Sequence, residues 1–481
     1  MGKGSTVKAL IGYGNSNNAH TGNRLEVSSF GNEATIGIAN FDLIEFNVPG
    51  TSTLSMLTLS TAGAGDISDI TSIKTSLKAG GNFATGDRIN LITCTNCTLT
   101  LSPNLEKTKG YDYTEDADHV ITEGVSLAWN FEYGEDDKNL YITIGESTDP
   151  GSRNPSTPTT PSNPTSGATQ LRAQTKSLVE TQLASATLIR HGSDLLARSG
   201  FEAAVDALEA PYSGTTGFTP FVALGAAKLR HETSSHVDIK GASASFGLAS
   251  ETANRLGKLI LAPVVEYGYG DYDSYIDNGI HGEGSTQYWG AGLALRQTLG
   301  EGFYVDASAR YGRVESDYAS NDLDGASHLK YDLHTNYVAL HTAAGKTFAI
   351  NDHQTAELYT RYFYDRQQAA STTLSSGENY RFSSVDGHRV QLGGKYSFHI
   401  AETSSLYVDA LWQHEFSSEA SATYKGLSTP LATMKGSSGS FSLGWHKDAS
   451  ASSPWFVDLQ GSAWTGKQQL FSAQFAVGYK F

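Results

Sequence analysis

The chain is short of cysteine, proline and charge, and each shortage excludes a class of protein. Its 481 residues include two cysteines and 12 prolines, and charged residues make up 17%. Two cysteines cannot build a disulfide scaffold, and the low charge argues against a charged helical protein or a disordered one. With 34 basic and 50 acidic side chains, the net charge of −16 leaves no basic face for nucleic acid.

Long apolar runs are also missing. No stretch approaches the roughly 18 consecutive apolar residues of a transmembrane helix. This does not exclude a membrane protein, because a transmembrane strand shows only an alternation of apolar and polar residues.

Composition divides the chain into four parts. Residues 147–170 contain five of the 12 prolines together with many Ser and Thr, which predicts an extended, semi-rigid linker. Residues 1–146 show short β-like runs separated by Gly, Asn, Asp and Ser. They predict a β-rich domain, either a β-helix, which we favour, or a sandwich. Residues 171–215 are predicted to be helical and residues 216–481 to be strands.

The segment Leu171–Arg198 has the composition of a helix. It contains no proline and a single glycine, and it is rich in Leu, Ala, Gln and Arg. Its polar residues lie on all sides rather than on one face, which favours surroundings that are both polar and confined. The residues expected to meet these surroundings are Lys176, Glu180, Gln182 and Arg190.

From about residue 218 the pattern changes to a period of two, which is typical of strands. In the last strand, small or polar residues alternate with Phe471, Ala473, Phe475, Val477, Tyr479 and Phe481. Similar patterns upstream predict about twelve strands, an even number that suits an antiparallel outer-membrane barrel. Each strand has about ten residues or more, enough to cross a bilayer at a tilt.

The face of these strands that meets water decides the class of protein. In a soluble sandwich or an eight-stranded cavity barrel, the apolar face points inward. In a membrane barrel the apolar face meets lipid and the polar face lines a lumen. Aromatic residues near strand ends, such as Trp289 and Trp455, favour the membrane barrel because they are typical of interfacial girdles. The charges predicted to face the lumen and to pair across it are Asp306, Arg310, Glu357, Arg361 and Asp365.

Two segments resemble a known family. Residues 475–481, FAVGYKF, resemble the terminal strand of bacterial outer-membrane barrels, and residues 175–196 resemble the helix that precedes the barrel in autotransporters. The order of linker, helix, barrel and terminal Phe is similar to that family over residues 171–481. Residues 31–59 resemble the C-terminal end of an autotransporter passenger.

The resemblance implies an outer-membrane barrel, plugged by the helix, that exports its own N-terminal passenger and anchors it at the cell surface. It implies three partners, which are outer-membrane lipid, the barrel-assembly machinery and the passenger itself. The assembly machinery is expected to read Phe475, Tyr479 and Phe481. Some members cleave themselves at an asparagine on the helix, but residues 171–199 contain no asparagine, so we do not expect that activity here.

No pattern of residues predicts an enzyme, a cofactor or a bound metal. Cys94 and Cys97 form a lone CxxC without further zinc ligands, so we expect an inert pair or a small disulfide loop. The acidic residues within 112–118 and 135–137 lack EF-hand spacing and predict a solvated surface. Residues 190–194, RHGSD, bring Ser, His and Asp together, but neighbours in sequence do not make a triad.

The predicted function is therefore that of an autotransporter translocator. Two alternatives stay open, a plain porin and a surface adhesin or enzyme whose activity lies in residues 1–146 or upstream of them. Residues 1–6 are not followed by the apolar run of about seven to fifteen residues that a signal peptide requires. Because an outer-membrane protein must be exported, we expect the chain to be the C-terminal part of a longer precursor, or an engineered form of one.

Overall fold

The computed structural model describes residues 6–11, 23–39, 41–77, 83, 86–109, 121–123, 125–129, 131–145, 171–208, 217–276, 279–323, 326, 328–450 and 453–479. The predicted linker, the acidic residues within 112–118 and the terminal Phe481 lie outside these ranges.

The N-terminal part consists of short strands. They are β1 (Thr6–Ile11), β2 (Arg24–Val27), β3 (Asn32–Ala39), β4 (Leu43–Val48), β5 (Leu57–Leu59), β6 (Asp66–Ile67), β7 (Ser72–Leu77), β8 (Arg88–Cys94), β9 (Thr100–Leu101), β10 (Glu106–Lys109), β11 (Ile121–Glu123), β12 (Leu127–Trp129), β13 (Phe131–Glu135) and β14 (Asn139–Ile144).

These strands stack mainly in parallel, as in a β-helix rather than a sandwich. One sheet has the parallel order β1-β3-β5-β8 and is continued by the antiparallel strands β14 and β13. A second sheet has the parallel order β10-β7-β4-β2. Side chains from both sheets, including Phe46, Ile73 and Ile92, are fully buried in one apolar core. β-Branched and aromatic residues suit such half-buried strands, and the predicted β-rich domain here is a β-helix.

One continuous helical segment follows, from Ala173 to Leu208. It comprises a 3₁₀ turn (Ala173–Thr175), α1 (Lys176–Leu195), a π-helical turn (Leu196–Gly200) and α2 (Phe201–Leu208). Among the helices in the described ranges, none combines the length and the apolar character needed to cross a membrane.

The remaining strands follow in chain order. They are β15 (Thr219–Glu232), β16 (His236–Asn254), β17 (Gly257–Tyr275), β18 (His281–Thr298), β19 (Phe303–Ser320), β20 (Leu329–Asn351), β21 (Gln354–Gln367), β22 (Ala370–Thr373), β23 (Asn379–Phe382), β24 (Val385–Ala401), β25 (Ser404–Ser417), β26 (Glu419–Ala420), β27 (Ala422–Tyr424), β28 (Leu427–Ser428), β29 (Ala432–Thr433), β30 (Gly436–Lys447), β31 (Trp455–Gly466) and β32 (Gln468–Tyr479), with a 3₁₀ turn at Gly300–Gly302.

Twelve of these strands close into an antiparallel barrel, which confirms the predicted fold. The order is β15-β16-β17-β18-β19-β20-β21-β24-β25-β30-β31-β32. The first and last strands complete the ring, with pairs from Phe221 opposite Gly478 to His231 opposite Gln468. The ring leaves no unpaired sheet edge, as a sheet in hydrocarbon requires.

The two ends of the barrel differ in their connections. At one end, which we name the turn end, the links after β16, β20 and β24 are tight turns of two residues. At the other, which we name the hairpin end, residues 368–384 and 418–435 form long connections that contain β22–β23 and β26–β29. The last described residue, Tyr479, lies at the turn end, opposite Trp455.

The apolar face of the strands points outward, as predicted. In β17, Val265, Tyr267 and Tyr269 are exposed, while Val264 and Glu266, which alternate with them, are buried in the interior. The same alternation runs through β32, where Gln474 faces the interior and Phe471 is 65% exposed. Large exposed apolar residues therefore surround the barrel, which suits contact with lipid and not with water.

The interior differs from the prediction at the turn end, because its lining is not polar throughout. Ile260, Ala262 and Val264 point inward there and pack in one buried cluster with Phe201 and Ala204 of α2. α2 is apolar on this side, so an apolar wall is its complement.

Candidate functional site: the helix in the barrel lumen

The helical segment fills the barrel lumen. Every residue of α1 from Ser177 to Leu195 is buried, including the charged and polar ones. Burial of polar groups is costly unless they are hydrogen-bonded, so the contacts of this helix with the barrel wall determine whether it stays in place.

At the hairpin end, the helix is held by a buried carboxylate. Glu180 accepts hydrogen bonds from Thr233 Oγ1 at 2.8 Å and from Ser235 Oγ at 2.7 Å. Lys176 Nζ lies above it and donates to Ser235 Oγ at 2.9 Å. At the next residue, the hydroxyls of Thr181 and Tyr272 are 2.7 Å apart. These contacts connect the start of α1 to β17 and to the short link between β15 and β16.

In the middle of the lumen, the helix meets the opposite wall. Gln182 Nε2 donates to the Ser383 carbonyl oxygen at 2.9 Å. Two groups of Arg190, Nε and Nη2, donate to one carboxylate oxygen of Asp365 at 3.1 Å. Its Nη1 lies 3.1 Å from Glu415 Oε2. One guanidinium therefore joins α1 to β21 and β25, and all three charged side chains are buried.

A second buried ion pair lies one turn below. Arg389 Nη1 donates to Asp194 Oδ2 at 2.9 Å, and Gln391 Nε2 donates to Asp194 Oδ1 at 3.0 Å. Arg310 of β19 contacts Ser193 and pairs with Glu266. Asp194 of the helix therefore meets a basic residue of the barrel wall, whereas Arg190 meets two acidic ones.

The turn end carries the last polar contacts. Ser199 Oγ donates to Gln474 Oε1 of β32 at 2.9 Å. Glu202 pairs with Lys395, which also lies 3.5 Å from Glu357 Oε2. Polar contacts therefore follow the helix along the whole length of the lumen.

Gly192 allows the helix to approach the wall closely. A Cβ atom at this position would overlap the Tyr288 hydroxyl oxygen of β18. The single glycine of the predicted helix is therefore explained by close packing and not by a break in the helix.

The four predicted pore-helix residues, Lys176, Glu180, Gln182 and Arg190, all contact the barrel or its links. Four of the charges predicted to pair across the lumen form ion pairs with residues outside that set. These four are Asp306, Arg310, Glu357 and Asp365. Arg361 instead lies over the Tyr359 ring. Asp306 pairs with Arg296 directly opposite it, at 2.6 Å. Residues four apart in a strand are roughly 13 Å apart, so partners come from other elements.

Asp194 is a contact of the barrel wall that the sequence analysis does not predict, since Arg190 is the one residue of RHGSD that it expects to meet the lumen. His191 Nδ1 is 3.1 Å from Ser243 Oγ, whereas Ser193 Oγ donates back to the Ile189 carbonyl at 3.1 Å. Asp194 is directed to Arg389. The signal available in the sequence was an acidic residue four positions after Arg190 in a helix predicted to be enclosed.

The other residues that attract a chemical interpretation lie elsewhere. Cys94 and Cys97 form a disulfide within the β-helix. Three possible metal ligands converge in two places, at Asp206, His446 and Asp448, and at Asp273, His281 and Glu283. In both clusters the imidazole already lies 2.9 Å from a carboxylate oxygen.

Replacing Arg190 by Ala leaves Asp365 and Glu415 buried without their cation. Because removal of one partner from a buried ion pair is costly, we expect the free energy of unfolding to fall by about 3–5 kcal/mol. Denaturant unfolding of the barrel in lipid vesicles measures this. The matched control is Arg230→Ala, which removes a bidentate pair with Asp238 that is 36% and 22% exposed, and should cost about 0.2–1 kcal/mol. Equal losses in the two variants would contradict a holding role for Arg190.

Comparison with known proteins shows similarity to autotransporters. The autotransporter β-domain model matches residues 234–462. The translocator domain of the autotransporter NalP from Neisseria meningitidis is 17% identical, with a TM-score of 0.46, over 62% of this chain and 99% of that one. The β domain of the Bordetella autotransporter Brka is 17% identical, with a TM-score of 0.44, over 55% and 100%. The transport unit of AIDA-I from Escherichia coli is 11% identical, with a TM-score of 0.46, over 60% and 99%.

Comparison with curated protein sequences gave no match. The match over residues 234–462 covers the barrel from the beginning of β16 into β31. Residues 234–462 of the barrel are therefore similar to the autotransporter β-domain.

Proposed function

We propose that this barrel exports the N-terminal part of its own chain, anchors it at the cell surface and does so without catalysis. The observation that carries the proposal is the path of the chain through the closed barrel. The C-terminal end of the helical segment lies at the turn end, where β15 begins, and its N-terminal end lies at the hairpin end. Outer-membrane barrels have short periplasmic turns and longer extracellular loops, so residues upstream of the helix emerge outside.

The N-terminal part contacts the barrel at this hairpin end. Glu378, in the link between β22 and β23, accepts hydrogen bonds from the backbone N–H of Val125 at 3.3 Å and of Ser126 at 3.0 Å. The Ser126 hydroxyl also contacts Glu378 and the Tyr380 hydroxyl. From the helix side, Gln174 Nε2 donates to the Val125 carbonyl at 2.7 Å. These contacts support an exported segment that stays docked on the barrel.

The mechanism that follows is physical. Export leaves the helix as the last segment in the lumen, and buried ion pairs with the wall hold it at one depth. The β-helix, once folded outside, has a core too wide for a lumen that a single helix fills. Folding outside therefore opposes return of the chain, and no bond needs to be made or broken.

Ion conductance distinguishes this proposal from a plain porin. The full chain in a planar bilayer is expected to conduct poorly, because the helix fills the lumen, and deletion of residues 171–198 is expected to raise the conductance strongly. A deletion of equal length within residues 23–77 is the control and should leave the conductance low. Free conductance of the full chain would favour the porin.

The docked segment should respond to pH. Burial raises the pKa of Glu378 above its ordinary 4.5, against the lowering effect of hydrogen bonds from Ser126 and Ser376. A raised pKa means that docking is strongest below pH 4.5 and weakens as the pH rises through the higher value in the docked state.

Hydrogen exchange of the Val125 and Ser126 amides, corrected for their intrinsic rates, measures this effect. Glu378→Gln should remove the pH dependence, while Glu419→Gln in the neighbouring hairpin should keep it. A pH dependence that survives Glu378→Gln would refute the role of this carboxyl.

We further propose that the barrel-assembly machinery reads the last strand through Phe475, Tyr479 and Phe481. Phe475 faces outward between Leu224 and Leu459, and the Tyr479 ring lies 4.9 Å from that of Trp455. Phe475→Ala together with Tyr479→Ala should reduce the amount of folded barrel in cells but leave refolding into detergent unchanged. Phe471→Ala, on the same strand and face, is the control. A matching loss in refolding would show that these residues act only through packing.

A further inference from the structure

An apolar groove lies on the outer surface of the barrel where the first and last strands meet. Its volume is about 1010 Å³, and it extends across β15, β16 and β32. Its floor is made of small outward-facing side chains, namely Ala226, Ala242, Ala244 and Ala473. Larger groups rise on either side, with Tyr267 and Tyr269 on β17 and Leu459 on β31. Its lining is mostly apolar, which suits a hydrocarbon chain.

Two lysines mark the rim of this groove nearest the hairpin end. Lys228 of β15 and Lys240 of β16 are directly opposite each other and both are exposed. Lys228 lies two residues after Ala226, and Lys240 lies two residues before Ala242 in the antiparallel neighbour. In the next strand Asp271 follows Tyr269 by two residues. The lysines thus lie one outward-facing position nearer the hairpin end than Tyr269, which is the level of lipid headgroups beside an aromatic girdle.

In the described part of the chain neither lysine forms an ion pair, and directly opposed like charges destabilise a sheet. Asp271 is opposite Lys240 and accepts a hydrogen bond from the Tyr269 hydroxyl at 2.8 Å. One carboxylate beside two ammonium groups leaves a net positive charge at this rim. An anion placed between the two ammonium groups would relieve their repulsion.

We propose that this groove binds a phosphate-bearing lipid of the outer leaflet. The phosphate bridges Lys228 and Lys240, and an acyl chain lies on the alanine floor beside Tyr267 and Tyr269. A second copy of the chain fits less well, because a symmetric contact would bring two lysine pairs together and would place groove against groove. The proposal depends on the position of the barrel in a membrane and not on the export of the N-terminal part.

Native mass spectrometry of the full chain in detergent tests the proposal with two lipids. Phosphatidylglycerol is the anionic probe and phosphatidylcholine the zwitterionic one. We expect the full chain to retain phosphatidylglycerol more tightly. The double variant Lys228→Gln with Lys240→Gln should weaken that binding roughly thirtyfold, because two lysines near an anionic headgroup are lost. Phosphatidylcholine binding should change little.

Two further variants separate the headgroup from the groove. Lys330→Gln removes an exposed lysine at the hairpin end of β20, opposite Ala319, and should leave lipid binding unchanged. Ala242→Leu fills the floor, keeps both lysines and should weaken both lipids. All variants are compared as folded barrels with heat-modifiable migration on gels.

The proposal is overturned if the double variant binds phosphatidylglycerol as the full chain does, or if Lys330→Gln loses as much. It is also overturned if inorganic phosphate alone binds the lysines as tightly as the lipid, since the groove then contributes nothing. A lipid-free dimer that Ala242→Leu abolishes would identify a second copy as the occupant.

Discussion

Backbone hydrogen bonding in hydrocarbon is the constraint on which the rest of this structure depends. A strand that crosses the lipid has no water to satisfy its N–H and C=O groups, so each strand must have two neighbours and the sheet must close. Closure of twelve strands through β15 and β32 creates an interior as an unavoidable consequence. That interior is filled by the helix between Ala173 and Leu208, and the alternation of residues along every strand follows from having lipid on one side and the helix on the other.

The ion pairs of the lumen determine position more than total stability. Taking charges out of water costs about as much as their attraction returns, so the pairs of Arg190 and Asp194 add little stability relative to apolar residues of similar volume. Removal of one partner alone is costly, because it leaves the other charge buried and unpaired. The main effect of these ion pairs is on the free-energy difference between the observed position of the helix in the lumen and positions shifted along the barrel axis. Asp365 and Glu415 bind a cation, and Arg389 binds an anion, each at a fixed depth along the lumen. A helix shifted by one turn leaves both sites with unpaired charges, and this makes one depth in the lumen strongly preferred.

Much of the barrel is predictable from the sequence because its signal is local. A period of two over ten or more residues identifies a strand. Alternate residues face opposite sides of the sheet, so the outward position of Phe471 or Tyr267 follows from its place in the alternation. The helix is likewise evident from its composition. The partners of its charges are not predictable, since Arg190 and Asp365 are 175 positions apart and nothing local relates them. The apolar interior around Ile260 was missed for a similar reason, because it depends on which part of the helix reaches that depth. The contact of Glu378 with Ser126 depends on the folding of two distant parts of the chain.

The central claim is that the helix lies inside the barrel with its register fixed, and chemical cross-linking in the outer membrane tests it most directly. His191→Cys on the helix and Ser243→Cys on the wall replace side chains that are 3.1 Å apart. A short bifunctional thiol reagent should join them in intact cells. The pair His191→Cys and Ala242→Cys, in which the second position is one residue away and faces outward, should not be joined. Cross-linking of both pairs, or of neither, would contradict a helix held in the lumen.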